Sequence, residues 1–278
     1  MLRPPTRSHL FCQAVVLLNA WLLPIAMAVP QGIDSTDAST TEQQKTPPAE
    51  PVYKGRRIAQ TMHYDGAPWL IRESREREEE CSTLLANLGV RPGDTVCDLG
   101  CGNGFYALKL AELVGEEGTV LAVDIQTEML SFLRVRAKEA KITNIETVHS
   151  TPVDPQLPAG KVDLMLLVDV YHEFSHPEPM LEAIHRSLKP NGRVALVEFR
   201  AEDLEVPIKP LHKMSKRQIM KEFPPNDFKL VGEFHKLPWQ HVMFFAREDS
   251  PLKEVKPTAS NGELDAAKRP GRSERPGH

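Results

Sequence analysis

From residue 95 onward, short apolar runs alternate with longer stretches in which apolar residues recur every three or four positions. The runs are 96–99, 119–123, 145–148, 162–168 and 193–199, each bounded by turn-forming residues, and they predict strands. The run at 162–168 is nearly continuous, which suits a central parallel strand covered on both faces. The stretches between them predict helices. Residues 105–114 place Phe105 and Leu108 on one face and stop at Gly115-Glu116-Glu117-Gly118, and residues 127–140 follow with Thr127 as the expected cap. Ser175-His176-Pro177-Glu178 has the form of a capping box, and Met180, Leu181, Ile184 and Leu188 then share a face. Lys189-Pro190-Asn191-Gly192 is the expected stop, and residues 215–223 predict a further helix. Such alternation predicts a parallel sheet with helices on both faces. The runs 228–234 and 241–246 are joined by a short link without a helix, so they should be antiparallel neighbours.

Outside this region the pattern weakens. Residues 71–88 read as a helix with opposite-charge pairs four apart, Arg72 with Glu76, Glu73 with Arg77 and Arg75 with Glu79, which predicts a solvated charged face. Upstream, Met62-His63-Tyr64 and Pro68-Trp69-Leu70 bring aromatic and imidazole groups together, either as a wall over a site or as ordinary packing. Residues 29–52 are rich in Thr, Ser, Gln and Pro and predict a flexible linker. Residues 249–278 share that lack of large apolar groups and predict a disordered tail. One domain of ordinary size is left, 53–248, with 53–90 as its N-terminal segment.

The chemistry concentrates in Thr95-Val96-Cys97-Asp98-Leu99-Gly100-Cys101-Gly102-Asn103-Gly104, a strand, a glycine-rich turn and the start of a helix. Glycine lets the backbone take left-handed angles and lets a ligand come close. The free N–H groups of the helix start favour an anionic group. A dinucleotide fingerprint spaces its glycines as Gly-x-Gly-x-x-Gly. Here Gly104 arrives one residue early, which disfavours an NAD-dependent reductase. Asp124 ends the next strand about twenty residues on, where an acid meets ribose hydroxyls, and Ile125 beside it offers an apolar cover for a base.

Taken in order, residues 97–104, Asp124, Asp169-Val170-Tyr171-His172-Glu173-Phe174 and Leu188-Lys189-Pro190-Asn191-Gly192-Arg193 resemble the class I S-adenosylmethionine-dependent methyltransferases. The likeness is greatest to the type 11 branch, which includes the ubiquinone- and menaquinone-biosynthesis type. This resemblance implies an α/β, Rossmann-like class I methyltransferase fold: a mostly parallel seven-stranded sheet with an antiparallel last strand and helices on both faces. It implies S-adenosyl-L-methionine as cofactor, held by Asp98, Gly100, Cys101, Gly102, Gly104, Asp124, Ile125, Thr151 and Asp169. It also implies methyl transfer to a small-molecule acceptor; the competing reading is a nucleoside-binding domain of the same fold without the reaction. Members often carry an acid just after the third strand, for the adenine amino group. This chain has Ser150-Thr151-Pro152-Val153-Asp154 there, so the contact falls to the Thr151 hydroxyl or to Asp154 reaching back.

Methyl transfer from a sulfonium is an in-line displacement that rests chiefly on positioning. A base is needed only when the nucleophile carries a proton of high pKa. Tyr171, His172 and Glu173 follow the fourth strand at the carboxyl edge, where open α/β sheets bind ligands, and are the catalytic candidates, with His172 as the base. His63, Tyr64, Trp69, His212 and Trp239 are the candidates for substrate contact. The aromatic members predict a pocket for an apolar or aromatic acceptor with one polar handle. His63, His172, Glu173 and His212 show no recognised metal-ligand spacing, so no metal is expected. Cys101 reads as a small residue in a tight turn or as a thiol nucleophile.

Composition narrows the partners. The 278 residues carry a net charge of −4, which leaves no electrostatic footprint for nucleic acid. Beyond the first 28 residues the cysteines are Cys81, Cys97 and Cys101, an odd set with no CxxC pair and no implied disulfide framework. The pattern carries no signal for oligomeric state. Residues 1–28 have the three parts of a secretory signal: Arg3 and Arg7, an apolar stretch over 10–25, and the small-x-small Ala26-Met27-Ala28. The expectation is export, or tethering through an uncleaved leader, with no membrane span beyond it; a true start at Met27 leaves a cytoplasmic chain. S-adenosylmethionine is too polar to cross a bilayer unaided, so an exported enzyme needs it delivered. Mass spectrometry of the native N-terminus should find Val29 for cleavage or Met1 for a retained leader. Met27 or Ala28 in the soluble cytosolic fraction overturns export.

Overall fold

The computed structural model of the protein describes residues 46–258; the expected leader, most of the linker and residues 259–278 lie outside them. After a two-residue hairpin, β1 (Val52–Tyr53) and β2 (Arg56–Arg57), the apolar runs form one sheet. Its strands are β3 (Thr95–Leu99), β4 (Thr119–Asp124), β5 (Ile145–His149), β6 (Val162–Val168), β7 (Leu188–Phe199), β8 (Phe228–Phe234) and β9 (Gln240–Arg247). Their order is β5-β4-β3-β6-β7-β9-β8. Strands β3 to β7 pair in parallel, and β9 runs antiparallel to both β7 and β8, so the expected seven-stranded, mostly parallel sheet is present. β9 takes the inner place because seven of its eight residues are buried and need cover on both faces. The half-exposed β8 tolerates the edge.

Side chains alternate along each strand and divide the core in two. Val96, Ala122, Leu164, Leu166, Ala195 and Val197 face α2 (Cys81–Asn87), α3 (Phe105–Val114) and α4 (Thr127–Glu139). Cys97, Leu121, Val123, Met165, Leu167 and Leu196 face α5 (Pro177–Ser187) and α6 (Lys216–Glu222). The strand order reverses at β3, between β4 and β6, and a crevice opens at the carboxyl ends there.

Several local expectations are corrected. The expected helix over 71–88 is a 3-10 segment (Tyr64–Ile71), α1 (Arg75–Glu79) and α2, broken at Glu80, which takes left-handed angles with φ 48°. Of the three charge pairs only Arg75–Glu79 forms, at 3.0 Å, and it is buried, with residue exposures of 6% and 2%, rather than solvated. The break lets α1 face the crevice while Cys81 and Leu84 of α2 enter the core. Gln126, not Thr127, is the N-cap of α4, and its N–H is satisfied by Asp124 at 2.9 Å. The capping box at 175–178 is not made: Ser175 bonds the neighbouring His176 ring, and His176 is the N-cap without a side-chain bond. Lys189-Pro190-Asn191-Gly192 is a bulge inside β7, since Leu188 pairs with Val162 and Arg193 with Leu164.

Both domain boundaries move outward. Residues 249–258, expected in the tail, run beside β8: Val255 N–H donates to Leu230 O at 2.8 Å, and the Thr258 N–H and hydroxyl both donate to Glu233. At the other end, Glu50 N–H donates to Ser175 O, and the His176 ring meets Pro47 O at 2.8 Å. Polar segments dock here because an edge strand and a helix start offer unpaired backbone groups, a source of order that apolar content does not report.

His241 on β9 generates a test. It is 1% exposed, and neither ring nitrogen has a hydrogen-bond partner. Burial, with the nearby charges of Lys216 and Arg200, holds its pKa down to about 3. The unfolded chain therefore binds a proton below about pH 6.5 that the folded chain refuses, and stability contributed by the neutral ring is lost as pH falls from there towards 3. In paired urea titrations from pH 7.5 to 4.5, His241→Phe should lose less stability on acidification than the parent. Parallel curves would show that His241 is not the group responsible.

Candidate active site

A cavity of about 590 Å³ lies at the carboxyl ends of β3, β4, β6 and β7. Its floor is the glycine turn. Gly100 sits at φ +76° with Val170 where a Cβ would be, and Gly102 at φ +52° with Leu70 in the same relation, so both positions exclude side chains. Asp124 ends β4 with one carboxylate oxygen accepting the Gly102 N–H at 2.9 Å and the other the Gln126 N–H at 2.9 Å. These bonds fix the acid at the cavity edge, although burial raises its pKa. Ile125, Met129, Ser150 and Thr151 continue the wall, and Thr61, Met62, Trp69 and Leu70 cover it. Of the segment upstream of α1, these four residues line the cavity, whereas His63 and Tyr64 do not.

Arg75, Glu79 and Asp169 share the cavity wall. Arg75 is stacked over the Phe105 ring, 4.3 Å from its centroid, and donates to Leu70 O at 2.7 Å. Asp169 takes left-handed angles with φ 51°; one of its oxygens accepts from Gln240 at 3.0 Å and the other has no partner. Burial, together with the charges of Glu79 and Glu198, pushes Asp169 well above the usual carboxylate range.

A polar end of the cavity is built by the short turn after β6. The His172 carbonyl is held by the Ala59 N–H and by Arg56, both at 3.1 Å, and Arg56 is in turn held by Glu222. The His172 Nδ1 lies 2.7 Å from the buried Glu198 carboxylate at the end of β7, and its Nε2 lies 3.1 Å from the His212 Nδ1. Burial alone would lower the His172 pKa, but the Glu198 charge and hydrogen bond raise it above the ordinary value. Glu173 stands 3.9 Å from both imidazoles, accepts the Met62 N–H, and is pushed up to about 7, chiefly by burial.

The sequence candidates divide accordingly. Gly100, Gly102, Asp124, Ile125, Thr151, Asp169, Trp69, His172, Glu173 and His212 line the cavity. Asp98, Cys101 and Gly104 stand behind the turn and shape it without lining the cavity. Asp98 is buried and raised to about 7, and burial pushes the Cys101 thiol well above its ordinary range, which removes it as a nucleophile. Tyr171 is corrected: it is fully buried in the α5–α6 core with its hydroxyl on Glu222 at 2.8 Å. His63, Tyr64 and Trp239 are also outside the lining; His63 pairs with Asp65 near the surface, and Trp239 packs on Phe199. The Thr151 hydroxyl is occupied by the turn it closes with Asp154, and the Asp154 carboxylate turns away to Arg186. Phe174 and Phe199 provide aromatic lining, and Gln126 and Met129 further lining, that the sequence reading missed; only their adjacence to the recognised motifs could have signalled them. Glu198, the partner of His172, is recognisable as an acid ending an apolar strand.

A family model described as "Methyltransferase domain" matches residues 91–246. The chain belongs to this family, and the fold and site place it among the class I S-adenosylmethionine-dependent methyltransferases. It is 25% identical over 135 residues to a demethylmenaquinone methyltransferase of Oceanobacillus iheyensis, covering 49% of this chain and 56% of that one. It is 33% identical over 112 residues to a 2-phytyl-1,4-naphtoquinone methyltransferase of Nostoc, covering 40% and 49%. The chain thus spans about half the length of the curated relatives it matches. A solved S-adenosylmethionine-dependent methyltransferase of Aquifex aeolicus shares the fold, with TM-score 0.63 at 24% identity over 66% of this chain and 98% of that one.

The residues present suit S-adenosylmethionine. Gly100 and Gly102 present bare backbone to the cavity floor, Asp124 and Ile125 suit ribose and base, and the unpartnered Asp169 oxygen beside Arg75 suits an ammonium and a carboxylate. Gly102→Val adds a left-handed penalty of about 1–2 kcal/mol and a side chain in the place of Leu70. Calorimetry with S-adenosylhomocysteine should show affinity reduced by about tenfold or more. Unchanged affinity would displace the cofactor from this turn.

Proposed function

We propose that the protein transfers a methyl group from S-adenosylmethionine to a small ring-containing acceptor whose ionisable hydroxyl lies at the His172 end of the cavity. The observation that carries this reading is that the His172–Glu198 pair and His212, joined through the two imidazoles, line the same cavity as the glycine turn. The names of the quinone-methylating relatives support an aromatic acceptor of that kind, and so does a lining that includes Trp69, Phe174 and Phe199.

When bound, the cofactor supplies an electrophilic methyl group on a sulfonium. The chain's residues do the rest. Glu198 takes the His172 Nδ1–H, which leaves the Nε2 lone pair facing the His212 Nδ1, so the acceptor's hydroxyl proton goes to the His212 Nε2 as the His212 Nδ1–H passes to His172. The Arg56 and Ala59 bonds to the His172 carbonyl keep the ring from swinging away. The cover formed by Thr61, Met62, Trp69 and Leu70 excludes water, which would otherwise solvate the anionic nucleophile.

Assay of the full chain with S-adenosylmethionine against a panel of phenols and quinols should give a methylated product. His172→Ala should lower kcat by about 10²- to 10⁴-fold with S-adenosylhomocysteine affinity kept. Cofactor binding with no turnover on any acceptor would favour the binding-domain reading, and full turnover by His172→Ala would remove that residue from catalysis.

A further inference from the structure

Three side chains at the polar end converge on one point. The His172 Nε2, the His212 Nδ1 and the Glu173 Oε1 form a triangle with sides of 3.1, 3.9 and 3.9 Å. The point equidistant from its corners lies about 2.1 Å from each, which is the usual bond length from zinc to imidazole nitrogen or carboxylate oxygen. The geometry points to a binding site for one divalent transition-metal ion, zinc foremost, held by His172, Glu173 and His212 at the acceptor end of the cavity.

Three further observations agree. Glu198 receives the His172 Nδ1–H at 2.7 Å, and that tautomer leaves Nε2 as the ligating atom; a carboxylate behind an imidazole is the usual outer support of such sites. The three atoms meet at the wall of the cavity, so the remaining coordination positions face the cavity, as in sites that bind substrate rather than brace a fold. The acids that line the cavity, Asp124, Asp169 and Glu173, outnumber its free base Lys209, since Glu79 and Arg75 pair with each other. Two imidazoles in the donor set select zinc, cobalt, nickel or iron over magnesium.

The part the ion plays rests on the proposed function, because it requires the acceptor's hydroxyl at this end. That oxygen would bind the ion as its anion, its proton passing to solvent, and the ion would replace the His172 lone pair as the means of generating the nucleophile. Binding of the ion itself does not depend on that reading.

The test uses the full chain, stripped with chelator and titrated with Co²⁺ while visible absorption is followed, then with Zn²⁺ in competition. One Co²⁺ per chain should bind with a d–d spectrum of four or five coordination, Zn²⁺ should displace it, and Mg²⁺ should not. Glu198→Gln should weaken binding by about 10- to 100-fold, and Glu173→Gln or His212→Gln by more. S-adenosylhomocysteine calorimetry on the same preparations shows that each variant is folded and tests the cofactor reading separately. Absence of saturable Co²⁺ binding in the parent, or equal affinity in the Glu173 and His212 variants, overturns the site whether or not the cofactor analogue binds.

Discussion

The site depends on burying acids at one edge of a sheet. Asp98, Asp124, Asp169, Glu173 and Glu198 all stand at or just beyond strand ends, and Glu79 joins them from α1. An unpaired buried carboxylate is strongly unfavourable, so each must find donors, a counter-charge or a proton. Asp124 finds backbone N–H groups, Glu79 finds Arg72 and Arg75, and Glu198 finds His172. Asp98, Asp169 and Glu173 are left with raised pKa values, and the first two each keep an oxygen without a partner. A cofactor carrying a sulfonium and an ammonium is suited to such surroundings.

The N-terminal segment matters for the same reason. Arg56 bridges the buried Glu222 and the His172 carbonyl, Met62 N–H meets Glu173, Gln126 meets Met62 O, and Arg75 closes the far end. The cover and the polar groups beneath it are therefore one network, and movement of residues 56–75 changes the environment of His172 and Glu173 together.

Most of the strand and helix pattern was legible in the sequence. The runs at 162–168 and 105–114 became β6 and α3 with the same limits, since a parallel strand covered on both faces and a helix with one buried face each leave a periodicity of their own. The glycine turn and Asp124 were legible because local backbone geometry demands those residues at that spacing. Errors gathered where polar residues are ordered by distant partners. The charged helix at 71–88 broke at Glu80, and residues 249–258 docked on β8, through contacts that lie far away in the sequence.

Which candidates work together was decided by the tertiary structure alone. Tyr171 and His172 are neighbours in the chain, yet the turn after β6 sends one into the core against Glu222 and the other to the cavity against Glu198. His212, forty residues further on, is brought within 3.1 Å of His172 because the loop after β7 returns across the same edge. The sequence by itself determined the strands, the glycine turn and the acid that ends β4, all of which depend on residues close in the chain. The polar end depends on Arg56, Glu173, Glu198, His212 and Glu222, which meet only when the strand order places the ends of β6 and β7 side by side, and no one-dimensional spacing encodes that meeting.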